Sequence, residues 1–487
     1  MNQIQFNAFP VNFNVPGFYA EFDPSQAVQG LVPYPQKILL IGQMLATGSA
    51  TPEEAVLVSG SDKVATLAGR GSMLHHMAIA ARAANAFTPL YILPLEDDAG
   101  GTASTRDLTL TGPSTAAGSI VLYTGGRRYA VGVASGVSAA TVATAIADEI
   151  NADPERLVNA AAAAEVLTLT ARHKGVDAGN IRVSLNRLTG ERLPSGITVT
   201  IDDLTVGTVN PDITAAIAGL GEQWYPTFAS AYTDAASLGI LEVELADRFG
   251  PVRQIEGHAY AGVDLSYAAA IALAESRNSP HVSPVDASDI LDPGFIVAAS
   301  VAAKDAGESD PARPRQTLEL NGLLSAAETG RRSLSERNAL IEAGISTVKV
   351  DGAGAVRIEY LTTTYRENSA ELPDAAYKDV ETLRTLELLR FQLRARFATR
   401  YPRHKLGRDG TIGPDVMTPK TARGELVALY LEWMQAGYVE GGEALSQFKR
   451  DLITEIDASN PNQLNSLLPP DLINQFRVGA FQFQFRR

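Results

Sequence analysis

The sequence predicts a mixed α/β and α+β protein: a core shared between N- and C-terminal parts, an inserted β-rich domain, and extended strand arms at both ends. Three observations predict it. Two short apolar runs, residues 37–42 and 89–94, bracket two helical segments, and strand, helix, helix, strand opens an α/β domain. Over residues 97–207 the composition turns to Thr, Gly, Ala and Val, with hairpin and strand signals of its own. Both termini alternate apolar with polar residues, the period-two mark of a strand with one buried face.

Taken in order, Pro10, Pro16 and Pro24 punctuate an extended N-terminal arm over residues 1–22, because each disfavours helix at the residue before it. Within it Ile4 and Phe6, then Phe13 and Val15, carry the alternation. Thr51 with Pro52 reads as the N-cap and first position of a helix. Residues 61–67 and 72–85 read as two further helices. Thr124-Gly125-Gly126 lies between two β-prone runs, a hairpin signal. A helix over residues 138–151 follows, then strands near 166–171, 181–185 and 197–201.

Past Pro211 the α/β pattern resumes. It carries a helix near 235–249, an apolar segment at 295–301 and a strand near 356–361. Residues 374–400 read as the longest helix, with Tyr377, Val380, Leu383, Leu386, Leu389, Leu393 and Phe397 forming one apolar stripe. Two helices near 422–436 and 445–456 precede the C-terminal arm. There Phe481, Phe483 and Phe485 alternate with Gln482, Gln484 and Arg486. The expected domains are therefore the arm 1–22, a core of 23–96 and 208–470 with a subdivision near 340–370, an α+β insert at 97–207, and the arm 471–487.

Unpaired sticky strands recruit other chains, so arms at both ends point to strand addition on neighbouring copies. The other reading is that each completes a sheet within its own subunit.

The 487 residues, 45% hydrophobic and 20% charged, are ordinary for a soluble globular protein. A net charge of −14 argues against a general nucleic-acid coat, which needs cations against phosphates. There is no cysteine, hence no disulfide or thiolate chemistry. Nothing at the N-terminus reads as a signal peptide, and no stretch approaches the ~20 apolar residues of a membrane span. Cytoplasmic synthesis without membrane insertion is the expectation.

Sites of chemistry are sparse. The chain has no Gly-Lys pair, hence no P-loop, and no Gly-x-Ser-x-Gly elbow. Gly69-Arg70-Gly71 lacks the third glycine of a dinucleotide fingerprint. The six histidines have no metal-ligand spacing, and adjacent His75 and His76 leave a helix on different sides. Asp97-Asp98 and Asp202-Asp203 read as solvated loop ends, and Asp351-Gly352-Ala353-Gly354 lacks the remaining calcium-loop positions. No catalytic, cofactor-binding or metal residue is assigned. One charged feature has mass: the helix face carrying Arg384, Arg390, Arg394, Arg396 and Arg400. It reads either as a solvated face or as a docking surface for an acidic protein. On that view, reversing Arg390, Arg394 and Arg396 to Glu spares the fold.

The C-terminal half carries residues that resemble the contractile tail sheath proteins of Mu-like phages. These are Asp310-Pro311-Ala312-Arg313-Pro314-Arg315-Gln316-Thr317-Leu318, Gly322-Leu323-Leu324, the run from Asn338 to Thr347, and the run from Arg357 to Tyr365 followed by Asp374 and Tyr377. The opening Ile4-Gln5-Phe6-Asn7, with Pro16, Tyr19 and Glu21-Phe22-Asp23, is similar too. The resemblance spans nearly the full chain, and residues 97–207 carry the least of it.

It implies a sheath core built from N- and C-terminal portions, with the insert as an outer domain, and arms that mesh neighbouring subunits. It also implies six-fold rings stacked helically around a tail tube protein, with baseplate and tail terminator proteins at the ends. Contraction would drive the tube through a host envelope for genome delivery, and the virion tail would be assembled in the host cytoplasm. A C-terminal helix of the core faces the tube in that family. Here the arginine-rich helix and the pair after Ala422 are both candidates. The alternatives are a headless, tailocin-like contractile particle, an enzyme with an unrecognised site, and a surface protein assembled by strand exchange.

Overall fold

The computed structural model describes residues 31–179, 181–328 and 330–486. Contacts divide these residues into two units. One holds residues 31–34 and Leu388–Ile473, and the other holds Pro35–Glu387 and residues 474–486. The division falls inside the long helix, between Glu387 and Leu388.

The larger unit is organised by a six-stranded sheet in the order Val282–Asp286, His258–Val263, Thr227–Ser230, Ile38–Gln43, Leu90–Leu95, Val56–Val58. The first five strands are parallel and the last is antiparallel. Every residue of Ile38–Gln43 and His258–Val263 is buried, as expected for parallel strands covered on both faces. Helices Met73–Ala84 and Gly294–Gly307 pack on one another and on the sheet. Gly294 opens the second helix against Gly262, where a Cβ on either residue would lie about 2 Å from the other's carbonyl oxygen.

Three expected elements differ. The stretch opening at Thr51 is a turn, not a helix. Glu53 donates its N–H to the Pro94 carbonyl at 2.7 Å, and the turn places Val56–Val58 beside Leu90–Leu95. The long helix runs Val380–Arg400, so Tyr377 lies outside its stripe. Thr363 captures the chain before it, donating its hydroxyl to the Tyr377 carbonyl at 2.7 Å and its N–H to that of Lys378 at 2.8 Å. The expected last helix stops early: Glu443–Asp451 is helical, and Ile453–Ile456 is a strand.

Residues 103–201 add two antiparallel sheets. One has the order Thr198–Ile201, Ala103–Thr111, Val166–Lys174, Val158–Ala163, and the other Arg127–Val133, Gly118–Thr124, Val183–Leu185. The hairpin pairs Thr124 with Arg127 across Gly125 and Gly126, whose φ values of 56° and 78° only glycine adopts freely. Side chains lock this block to the parallel sheet. Asp97 accepts from Gln43 Nε2 at 2.8 Å and the Lys174 N–H at 3.1 Å, and bonds His173 Nδ1 at 2.9 Å. It is therefore a half-buried hub and not the solvated loop end expected. Arg182 binds Asp264 and the Ser288 carbonyl, and Asp177 accepts from Thr233.

The smaller unit packs Leu389, Leu426, Leu429, Trp433, Phe448 and Leu452 into its own core. Tyr430 stacks on Phe448 with ring centroids 4.1 Å apart. Helix Pro419–Ala436 starts on a Thr418 cap with proline at its first turn. Strands Ile453–Ile456 and Leu464–Leu467 form a two-stranded antiparallel hairpin that pairs with no other strand among the described residues.

Candidate assembly arm and its buried anchor

The C-terminal arm is held by the chain as far as Arg477 and exposed beyond it. Arg477 donates to Glu381 Oε2 at 2.7 Å and reaches Asp379 at 3.5 Å. Its guanidinium carbon sits 4.0 Å from the centroid of the Tyr360 ring, a cation–π contact. Gln316 Nε2 donates to the Phe476 carbonyl at 3.1 Å. After that, residues 478–486 enter no sheet. Phe481, Phe483 and Phe485 are 82%, 92% and 83% exposed. The alternation read from the sequence is present, but its apolar face is covered by nothing within the described residues of the chain. The N-terminal candidates Ile4, Phe6, Phe13 and Val15 lie outside the described residues.

Glu381 belongs to a buried ionic chain. Its Oε1 accepts the Arg315 N–H at 2.9 Å, and Arg315 Nε donates to Asp305 Oδ1 at 3.0 Å. Asp305 Oδ2 takes two bonds from Arg384, at 2.7 and 2.9 Å. Arg384 continues to Glu387 at 3.1 Å, to Thr227 Oγ1 at 2.9 Å and to the Pro226 carbonyl at 2.8 Å. The chain thus ends on a central strand of the parallel sheet. Burial by itself would raise the Asp305 pKa, but Arg384 and Arg315 outweigh it and hold the carboxyl well below the usual range. Glu387 is pushed up to about 7, because burial exceeds the pull of Arg384. One clue in the sequence was Asp305, the lone carboxylate in the Ala-rich run 294–307, where Ser300 and Lys304 are the other polar side chains. Apolar periodicity passed it over.

The arginine face is mostly engaged within the chain. Arg384 is buried in the network just described. Arg396 is 9% exposed and binds Glu425 at 2.9 Å and also Glu432. Arg400 binds the same Glu425 at 2.9 Å. Arg390 is half-buried, and Arg394 is exposed. Arg396 is therefore engaged within its own unit. Reversing it to Glu would set a third carboxylate against two, so a triple reversal that includes Arg396 is expected to disturb the fold.

Among the described residues no cluster of His, Asp or Glu is arranged to hold a metal, and no helix is long and apolar enough to cross a membrane. His75 and His76 are buried core histidines. His75 Nδ1 accepts the Gly71 N–H, and His76 Nε2 bonds the Glu155 carbonyl at 2.8 Å. Burial, then the neighbouring His75, lowers the His76 pKa to about 3, so it is neutral. Asp351 closes a turn, accepting from the Ala353 and Ala355 N–H groups and from Arg357.

Comparison with known proteins agrees with a chain built for assembly. Residues 207–364 match the family model for the phage tail sheath protein central domain, and residues 373–486 match that for the phage tail sheath C-terminal domain. The chain is 39% identical to the Mu-like prophage FluMu tail sheath protein of Haemophilus influenzae, with 99% of each chain covered. Among solved structures, the sheath tail protein from Desulfitobacterium hafniense is 12% identical, with 94% of this chain and 100% of that one covered and a TM-score of 0.49. The sheath tail protein of Listeria innocua is 13% identical, with 92% and 94% covered and a TM-score of 0.46. On the strength of the family models and the full-length relative, this chain belongs to the phage tail sheath family and is a structural subunit of a Mu-like contractile tail sheath.

Proposed function

We propose that the chain polymerises around a tail tube by strand exchange between copies, in six-fold rings stacked helically. Contraction of this sheath drives the tube through the host envelope for genome delivery. Its role is structural, without catalysis, cofactor, nucleic-acid contact or membrane insertion. It assembles in the host cytoplasm, with baseplate and terminator proteins closing the ends. Residues 97–207 form the outer insert, 1–22 and 471–487 form the arms, and the rest is core. The docking candidates on the arginine-rich helix are Arg390, Arg394, Arg396 and Arg400, of which Arg394 and Arg400 are exposed.

The observation that carries this is a donor and an acceptor on the same chain. The donor is the exposed Phe481–Phe483–Phe485 face. The acceptor is the two-stranded hairpin Ile453–Ile456/Leu464–Leu467, which pairs with no other strand among the described residues. Its cross-strand pair Ile453 and Leu467 is 52% and 61% exposed. A lone hairpin is marginal in water, so added strands complete it. Each buried Phe contributes roughly 1.5–3 kcal/mol, modest for one joint and large along a polymer. Head-to-tail contacts of this kind make filaments and not closed dimers.

The test replaces Phe481, Phe483 and Phe485 together by Ser and follows assembly by sedimentation. The triple variant stays a folded monomer where the parent sediments as polymer. Polymer formed equally by both would refute strand exchange through this arm.

A further inference from the structure

One side chain of the exposed tail is largely covered by the rest of the chain. Phe476 and Val478 are 76% and 84% exposed, whereas the Arg477 side chain between them is 12% exposed. A passive tether has no use for a cation that closes an ion pair with a fully buried glutamate and covers a tyrosine face. The pair is also not isolated. From Glu381 it runs through Arg315, Asp305 and Arg384 to Thr227 in the parallel sheet, with each link 2.7–3.0 Å long.

We propose that Arg477 is a positioning residue for polymerisation. It fastens the root of the C-terminal arm to this buried chain, so that the arm leaves the subunit at a fixed point and tension on it reaches the parallel sheet. This rests on the arm reading above and names the residue that makes the arm effective. Two consequences follow from chain geometry. With Arg477 fixed, residues 478–486 reach at most about 30 Å, so the acceptor edge on the neighbouring copy must lie within that radius. With the root already ordered, docking immobilises fewer residues, and pre-organisation of this kind tightens binding.

The variant that tests it is R477M/E381Q. Removing Arg477 alone would strand a buried carboxylate, whereas the Glu381→Gln side chain is neutral and keeps an oxygen for the Arg315 N–H. Two quantities are read: the critical concentration for assembly, and chymotrypsin cleavage after Phe476 in the monomer. The expected result is a rise of roughly tenfold or more in critical concentration, about the effect of one charge-assisted bond, with new cleavage after Phe476. An unchanged critical concentration with unchanged protection overturns the proposal. If the double variant lowers the urea midpoint, R477K decides. It keeps the charge and loses the planar stack on Tyr360. A raised critical concentration for R477K supports the proposal, and a parental one overturns it. Deleting Phe481–Arg487 separates the two levels. If that chain still polymerises, the arm reading itself fails. If it stays monomeric while R477M/E381Q polymerises as the parent does, only the role of Arg477 fails.

Discussion

Asp305→Asn is the sharpest perturbation of the fold. The carboxylate side chain is 1% exposed, and its partners Arg315 and Arg384 are 2% and 5% exposed. The substituted amide keeps one acceptor oxygen but turns its N–H₂ toward a guanidinium. Two cations then lie buried with half their counter-charge gone. Breaking a buried pair on one side costs about 3–5 kcal/mol, against a total stability of about 5–15 kcal/mol for a typical domain. The loss is therefore about a fifth or more of the unit's stability. Urea unfolding measures it, and the two tryptophans separate the units: Trp224 lies in the larger unit and Trp433 in the smaller. In a Trp433→Phe background, fluorescence reports the larger unit alone. The same measurement on D305L/R315M/R384M/E387L should recover most of the loss, since an apolar replacement of a buried cluster, Glu387 included, is often neutral. A loss under about 1 kcal/mol for Asp305→Asn would refute the view that this chain holds the unit together.

Four further outcomes are expected. Glu387, pushed up to about 7, makes the larger unit more stable as pH falls from above 7 toward the ordinary glutamate range, because the folded state binds the proton first; Glu387→Gln should flatten that slope in thermal melts across pH 5–8. Asp305, held low, contributes stability at neutral pH that is lost only as pH falls below the unfolded carboxylate range of about 4. Arg396→Glu should destabilise the smaller unit by about 2–3 kcal/mol, less than a fully buried pair because Glu432 is a third exposed, read by Trp433 in a Trp224→Phe background. Gly126→Ala should cost about 2 kcal/mol or more, since φ is 78° and the new Cβ would lie 2.1 Å from Asp292 Oδ1; urea unfolding of the larger unit checks it.

The parts of the fold readable from sequence were those with a local cause. The Thr124-Gly125-Gly126 hairpin needs only two left-handed glycines, and helix Ala235–Phe249 has a clear apolar period with an Asp234 cap. Strands Thr227–Ser230 and His258–Val263 were not assigned. Both are buried on each face, so no alternation marks them. Helix Gly294–Gly307 showed as an apolar segment without a type, because it too is buried nearly all round. The helix expected at Thr51 had sound capping residues but lost to a long-range bond with Pro94. For the site, alternation at Phe481, Phe483 and Phe485 was legible. Engagement of Arg396 by Glu425 and Glu432 was not, nor the hold of Glu381 on Arg477, because both join residues far apart in the chain. Charge on a helix face does not reveal whether a partner waits within the same chain.

Assembly is tested most directly by negative-stain electron microscopy of the purified chain beside the same chain lacking Phe481–Arg487, both at rising concentration with tail tube protein added. Hollow, ringed tubes of uniform width from the full chain, and dispersed folded monomers from the shortened one, are the predicted result. Ringed tubes from both would contradict it.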